Sequence, residues 1–120
     1  MADSLVLTLD VADLDVQTIF WCGALGYEHT ASVVQYHALE DPARKGPKVL
    51  LQQVSEAKSA KNRLHLDLHV EDPTAEAARL EALGATLVQR VDEFGFFWFS
   101  MLDPEGNEFC VVPNDSAVQS

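Results

Sequence analysis

Cysteine is scarce in this sequence, with Cys22 and Cys110 as the two thiols among 120 residues. They do not form the closely spaced framework of a disulfide-rich secreted domain, and a chain of this length buries enough surface to fold without such bonds. No apolar run approaches the roughly 20 residues that cross a bilayer. The first residues also lack the basic start and apolar stretch of a signal peptide. These absences predict a cytoplasmic protein with reduced thiols and no membrane partner.

Basic residues are also few, since 8 Lys and Arg stand against 19 Asp and Glu and give a net charge of −11. Nucleic acid is therefore excluded as the main partner, because phosphate binding needs a basic face. Six of the basic residues lie between positions 44 and 63, where Glu56 is the single acid. This basic segment either attracts an anionic ligand, pairs with an acidic face of a second subunit, or is a set of solvated loop residues.

What the sequence does contain is an internal repeat. Leu5–Asp13 reads LVLTLDVAD and returns 59 positions later as LHLDLHVED over Leu64–Asp72. The tripeptide Ala-Leu-Gly at 24–26 returns at 82–84. Such a repeat indicates that one structural module has been used twice.

Each copy is predicted to form a βαβββ module. Strict alternation of apolar residues makes the first segment of each copy a half-buried strand. Asp13 and Asp72 then cap a helix, and Gly26 and Gly84 end it in a left-handed turn. Three strands follow each helix, near Tyr27–Ser32, Val34–Leu39 and Lys48–Val54 in the first copy, and near Thr86–Val91, Phe96–Met101 and Glu108–Val112 in the second.

The predicted fold class is therefore α+β, with two tandem modules in a single domain over 1–120. Module one covers about 4–54, a linker covers 55–62, module two covers about 63–113, and a tail covers 114–120. In the first helix the predicted core-facing stripe is Val16, Ile19, Phe20 and Gly23. In the second helix the weaker stripe is Ala77, Leu80 and Gly84.

A paired βαβββ module with Asp-Pro-Glu-Gly-Asn at 103–107 before its last strand resembles the vicinal oxygen chelate superfamily. Glyoxalase I, the bleomycin-resistance proteins and the extradiol dioxygenases belong to that superfamily. Segments 61–70 and 106–112 look like its small glyoxalase-like branch. The resemblance implies two curved sheets that enclose a cleft, and it implies a homodimer.

In metal-dependent members, the first and last strands of both modules each supply one ligand to a divalent ion. Carried onto this chain, those positions are Val6, His65 and Cys110, with Gln52 or Leu50 as the fourth. Valine cannot coordinate a metal, so the match leaves His65 as the one good ligand. We therefore expect no cofactor and a metal-poor cleft, with a divalent metal as the less favoured alternative.

His65, Asp67 and His69 share the polar face of the strand over 64–70. His65 and His69 are about 13 Å apart on a strand and cannot chelate one ion together. His65 and Asp67 are about 6.6 Å apart, so they can act on one ligand. We interpret them as candidate catalytic residues, with His65 as general base. The alternative is a polar network that sets the register of the sheet.

Further candidate ligand-binding residues are Gln52, His69, Cys110 and Trp98. Cys110 is either a nucleophile activated by His65 or a small apolar residue. In the aromatic run over 94–99, alternation sends Phe97 and Phe99 to one face and Phe96 and Trp98 to the other. One pair is expected to pack the core, and the other can line an apolar binding surface.

Three functions are compatible with these residues. The first is binding of a small organic ligand, as in the bleomycin-resistance proteins. The second is a glyoxalase-type lyase, isomerase or epimerase that acts beside a carbonyl group, with His65 as base and Gln52 or Asp67 assisting. The third is an interaction module whose cleft is filled by the aromatic run.

Overall fold

The computed structural model describes residues 1–114 and divides into two compact units, the first being Met1–Ala57 and the second beginning at Lys58. The boundary falls inside the predicted linker. The predicted tail lies outside the described residues, except for Asn114. Among the residues described, no helix is long and apolar enough to span a membrane.

Each unit contains one helix and one four-stranded sheet, so the predicted βαβββ repeat is confirmed. The elements of the first unit are β1 (Val6–Val11), α1 (Leu14–Leu25), β2 (Glu28–Val33), β3 (Tyr36–Glu40) and β4 (Lys48–Gln53). Those of the second are β5 (Leu66–Val70), α2 (Pro73–Leu83), β6 (Thr86–Glu93), β7 (Phe96–Leu102) and β8 (Glu108–Pro113).

Both sheets have the same mixed topology. The first has the order β1-β4-β3-β2 and the second the order β5-β8-β7-β6. In each sheet the first and last strands pair in parallel, and the other neighbours pair antiparallel. The first strand of a module therefore lies beside its last strand, although a helix and two strands separate them in the sequence.

Both helices begin and end at the predicted residues, although Gly84 has φ 120° and ψ 2° rather than the left-handed helical conformation predicted for it. The Asp13 carboxylate accepts a hydrogen bond from the Val16 N–H at 3.1 Å, and Asp72 accepts one from the Ala75 N–H at 3.1 Å. Gly26 ends α1 at φ 70°, a left-handed conformation that glycine adopts without a steric penalty. A carboxylate cap also interacts favourably with the positive end of the helix dipole.

The prediction for the buried face of α1 is wrong at two positions. Val16 is 46% exposed and Ile19 is 70% exposed, whereas Gln17 and Thr18 are buried with Trp21. The inward face is set by the position of the helix on β2, β3 and β4, and it places polar Gln17 rather than Ile19 inside. In α2, the prediction is confirmed for Ala77 and Leu80, which are both buried, and is wrong for Gly84, which is exposed.

The predicted strand over Val34–Leu39 begins too early. Val34 and Gln35 form a two-residue connection between β2 and β3, and Val34 has φ 51°. Such a backbone is uncommon for a β-branched residue, and no glycine or asparagine marks the turn in the sequence. The corresponding connection in the second unit is Phe94-Gly95, where the glycine does give a signal.

A buried carboxylate organises the turn that leads into β8. Asp103 is 2% exposed and accepts hydrogen bonds from the backbone N–H groups of Glu105 and Asn107 and from the Asn107 side-chain amide, at 2.9–3.0 Å. The Gly106 N–H closes the turn onto the Asp103 carbonyl oxygen at 2.9 Å. The predicted turn at 103–106 is confirmed, and its hydrogen bonds end at Asn107, directly before the first residue of β8.

Candidate functional site

The polar face of the second sheet brings together residues that are distant in the sequence. Asp67 in β5 lies directly opposite Cys110 in β8, and Ser100 in β7 lies opposite Cys110 on the other side. Side chains of directly paired residues project from the same face of a sheet. The predicted strand over 64–70 begins too early, because β5 starts at Leu66, but His65 just before it still places its imidazole beside Asp67 and Cys110.

His65, Asp67 and Cys110 form a compact cluster, which we call the HDC cluster. A ligating atom from each residue (imidazole nitrogen, carboxylate oxygen and thiol sulfur) lies within 4.8 Å of the other two. His65 and Asp67 are exposed and Cys110 is half-buried. The cluster is thus accessible to a small molecule or an ion, and its sulfur belongs to a half-buried residue within β8.

Electrostatic surroundings keep the Cys110 thiol protonated. Burial raises its pKa above the ordinary value, and the negative charge of Asp67 raises the pKa further. A hydrogen bond with Ser100 and the positive charge of Lys61 act in the opposite direction without reversing the shift. A raised pKa disfavours the thiolate, so these surroundings do not support the alternative that Cys110 is an activated nucleophile.

The segment that leads into β5 is attached to β8 through Glu108. The Glu108 carboxylate accepts a hydrogen bond from the Asn62 N–H at 2.8 Å and forms an ion pair with Lys58 at 3.0 Å. Desolvation alone would raise the pKa of Glu108, but these donors outweigh it and the pKa is lowered. The ionised Glu108 carboxylate therefore holds the segment that precedes His65 against β8.

The first unit carries no comparable cluster among its described residues. By strand register, the positions equivalent to Asp67 and Cys110 are Thr8 and Leu50, which lie opposite each other in β1 and β4. Of the two alternatives for the last-strand position, the register matches Leu50. Gln52 is half-buried and lies between Asp10 and Tyr36.

His69 and Trp98 lie on the same sheet face as the HDC cluster but outside it. His69 is exposed and lies opposite Val112. Trp98 is half-buried and lies two residues before Ser100 in β7. On the opposite face Phe99 is buried, so the predicted separation of the aromatic run into a core-facing set and an outward set holds for these two rings.

A separate depression of about 330 Å³ lies at the β6–β7 hairpin and is lined by residues 90 and 92–97. The Arg90 guanidinium lies 4.1 Å from the centre of the Phe97 ring and forms an ion pair with Asp92 at 3.1 Å. This arrangement was not predicted, because the contact of Arg90 with Phe97 depends on the pairing of β6 with β7.

The donors of the HDC cluster are of types that bind a divalent cation. Imidazole nitrogen, thiolate sulfur and carboxylate oxygen are all ligands of zinc, for example, and catalytic zinc sites use three protein ligands. The superfamily comparison placed His65 and Cys110 at ligand positions, counted His65 as the one good ligand and left Asp67 out. The expectation of no cofactor rested on that lower count, and the second unit by itself offers three donors.

Comparison with models of protein families identifies the family of the chain. Residues 6–112, nearly the whole described chain, match the model described as glyoxalase-like domain. The chain belongs to the glyoxalase-like domain family. The resemblance to the vicinal oxygen chelate superfamily is thereby confirmed for this glyoxalase-like protein. A search of curated protein sequences gave no match.

Solved structures with the same fold include two groups of relatives. A glyoxalase/bleomycin resistance protein/dioxygenase family enzyme from Burkholderia phytofirmans is 18% identical with a TM-score of 0.77, covering 93% of this chain and 98% of that one. A mutant of the fosfomycin resistance protein FosX from Listeria monocytogenes is 16% identical with a TM-score of 0.78, covering 93% and 90%. That FosX structure is a complex with Mn(II) and 1S,2S-dihydroxypropylphosphonic acid.

Proposed function

We propose that the glyoxalase-like protein binds a small, oxygen-rich organic ligand at the HDC cluster. The observation that carries this proposal is the convergence of an imidazole, a carboxylate and a thiol within 4.8 Å on an accessible sheet face. A fold alone does not define a function, so the proposal rests on this arrangement of side chains.

The basic segment over 44–63 is the feature that favours an anionic ligand. Lys61 of that segment is close enough to act electrostatically on Cys110, where it partly offsets the larger effect of the Asp67 carboxylate. A local positive charge raises the encounter rate with anions even when the net charge of the protein is negative. A phosphonate such as the one bound by the FosX structure has the required charge and neighbouring oxygens.

We expect 1S,2S-dihydroxypropylphosphonic acid or fosfomycin to bind saturably, and we expect His65→Ala to weaken binding by about tenfold or more. Loss of one charge-assisted hydrogen bond corresponds to a change of this size. Titration followed by calorimetry or NMR measures the affinity, with bleomycin as a third probe. The matched control is His29→Ala, which removes an exposed histidine from β2. Absence of binding to all three probes, or equal binding by His65→Ala, contradicts the proposal.

A second candidate function is a lyase, isomerase or epimerase that acts beside a carbonyl group. The proximity of His65 to the Asp67 carboxylate favours it, because a neighbouring carboxylate orients an imidazole that accepts a proton. Exchange of the C–H protons of dihydroxyacetone phosphate in deuterium oxide tests this role. If His65→Ala abolishes exchange while affinity is retained, the histidine is a base rather than a binding residue.

We also propose that the protein is a homodimer in solution, as the resemblance implied. Each sheet ends in strands that pair on one side only within their unit, namely β1 and β2 in the first sheet and β5 and β6 in the second. Such edges are commonly covered by another element or another chain. Light scattering coupled to size-exclusion chromatography should give twice the 13.2 kDa mass of the chain. A species of 13.2 kDa at all concentrations would show that the protein is a monomer.

A further inference from the structure

We infer that the HDC cluster binds zinc or a similar borderline divalent cation within one module, and that the Cys110 thiolate is one of three protein ligands. This inference goes beyond the proposed function, because a ligand can bind the same face without a metal. It also differs from the arrangement that the superfamily resemblance implied, in which both modules contribute donors.

The types of donor determine the class of metal. Thiolate and imidazole favour zinc and similar borderline cations, whereas manganese and magnesium prefer sites made of oxygen. The HDC cluster offers one sulfur, one nitrogen and one oxygen. The FosX complex contains Mn(II), so a preference for zinc would distinguish this chain from that relative.

The geometry requires only a small contraction of the cluster. The three ligating atoms lie within 4.8 Å of one another. Small side-chain rotations can therefore bring each of them to about 2.0–2.3 Å from a zinc ion placed between them. Asp67 and Cys110 are held opposite each other by the β5–β8 ladder, and Phe109 and Val111 on either side of Cys110 are buried. The sulfur therefore projects from a rigid strand, and the exposed His65 and Asp67 can rotate onto the ion.

The first unit shows that the fold alone does not produce such a cluster. It has the same topology and register, but Thr8 and Leu50 stand where the second unit has Asp67 and Cys110, and Val6 stands where it has His65. The three donors therefore occur together in one copy of the repeat and in none of the equivalent places of the other. This asymmetry indicates that the three donors serve a function of the second unit and are not a by-product of the shared fold.

Binding of the metal releases one proton from the Cys110 thiol. In the absence of metal the thiol of Cys110 is protonated next to the Asp67 carboxylate. When Zn²⁺ binds, the S–H proton passes to solvent and the thiolate becomes a ligand, with no change in oxidation state. Three protein ligands leave one position of a tetrahedral ion for water or for a ligand oxygen.

The test titrates chelator-treated protein with Co²⁺, which reports a thiolate ligand through a sulfur-to-cobalt charge-transfer absorption, and then displaces it with Zn²⁺. We expect one ion per chain, displacement of Co²⁺ by Zn²⁺, and weaker binding of Mn²⁺. Cys110→Ser should abolish the charge-transfer band and weaken zinc binding by about 100-fold or more. Cys22→Ser, the matched control, should retain the band.

A second pair of variants guards against a folding defect in Cys110→Ser. Asp67→Asn keeps the size of an exposed side chain and should weaken zinc binding by about tenfold or more, whereas Asp10→Asn on β1 should have no effect. The inference is overturned if no metal binds, if the cobalt band persists in Cys110→Ser, or if Mn²⁺ binds more tightly than Zn²⁺.

Titration with 1S,2S-dihydroxypropylphosphonic acid, with and without a chelator, separates this inference from the proposed function. Ligand binding by a protein that binds no metal would overturn the zinc site alone. Zinc binding without affinity for any of the three organic probes would overturn the ligand-binding proposal alone.

Discussion

Replacement of Phe109 by alanine is expected to lower the free energy of unfolding by about 3–5 kcal/mol. Phe109 is 1% exposed and lies between Leu66 and Met101 in the register of the second sheet. Removing its ring leaves a cavity that a β-sheet strand cannot close by a small shift. Urea unfolding followed by circular dichroism measures the loss.

The control for this substitution is Phe94→Ala. Phe94 is 91% exposed at the tip of the β6–β7 hairpin, so its replacement should change the free energy of unfolding by no more than about 0.5 kcal/mol. Equal effects of the two substitutions would contradict the description of Phe109 as a core residue. Because Phe109 precedes Cys110, Phe109→Ala should also weaken binding at the HDC cluster.

Replacement of Asp103 by alanine is expected to lower the free energy of unfolding by about 3 kcal/mol. The substitution leaves the N–H groups of Glu105 and Asn107 and the Asn107 amide without their acceptor, and each unsatisfied buried group costs about 1–3 kcal/mol. Some of this cost is recovered where the turn opens to water. Thermal or urea unfolding gives the value.

Asp92→Ala is the matched control, because it removes a carboxylate that is 65% exposed and paired with Arg90. Exposed ion pairs contribute about 0–1 kcal/mol, so its effect should be small. If Asp103→Ala were no more harmful than Asp92→Ala, the turn at 103–106 would not depend on the buried carboxylate. In that case the start of β8 would be set by strand pairing alone.

Much of the fold could be predicted because its signals are local. The alternating leucines of β1 and β5, the capping Asp13 and Asp72, and Gly26 each act over a few residues of chain. The inward face of α1 could not be predicted in the same way, because Val16 and Ile19 are apolar and yet exposed. Their exposure depends on how the helix lies on its sheet.

The candidate site was predicted in part. Alternation alone places His65 and Asp67 on one face, but the contact of Asp67 with Cys110 depends on the pairing of β5 with β8. The same limit left Leu50 and Gln52 as alternatives, because the loop before β4 differs in length from the turn before β8. The register between two strands that are distant in the sequence cannot be predicted from the residues of either strand alone.

Every strand in this protein pairs only with strands of its own unit among the residues described. All four strands of the first sheet are encoded before Lys58, so a ribosome has synthesised the whole of that sheet before it begins the second. No strand of the first sheet therefore needs a hydrogen-bonded partner from the later half, so pairing within that sheet can begin while the second half is still being synthesised.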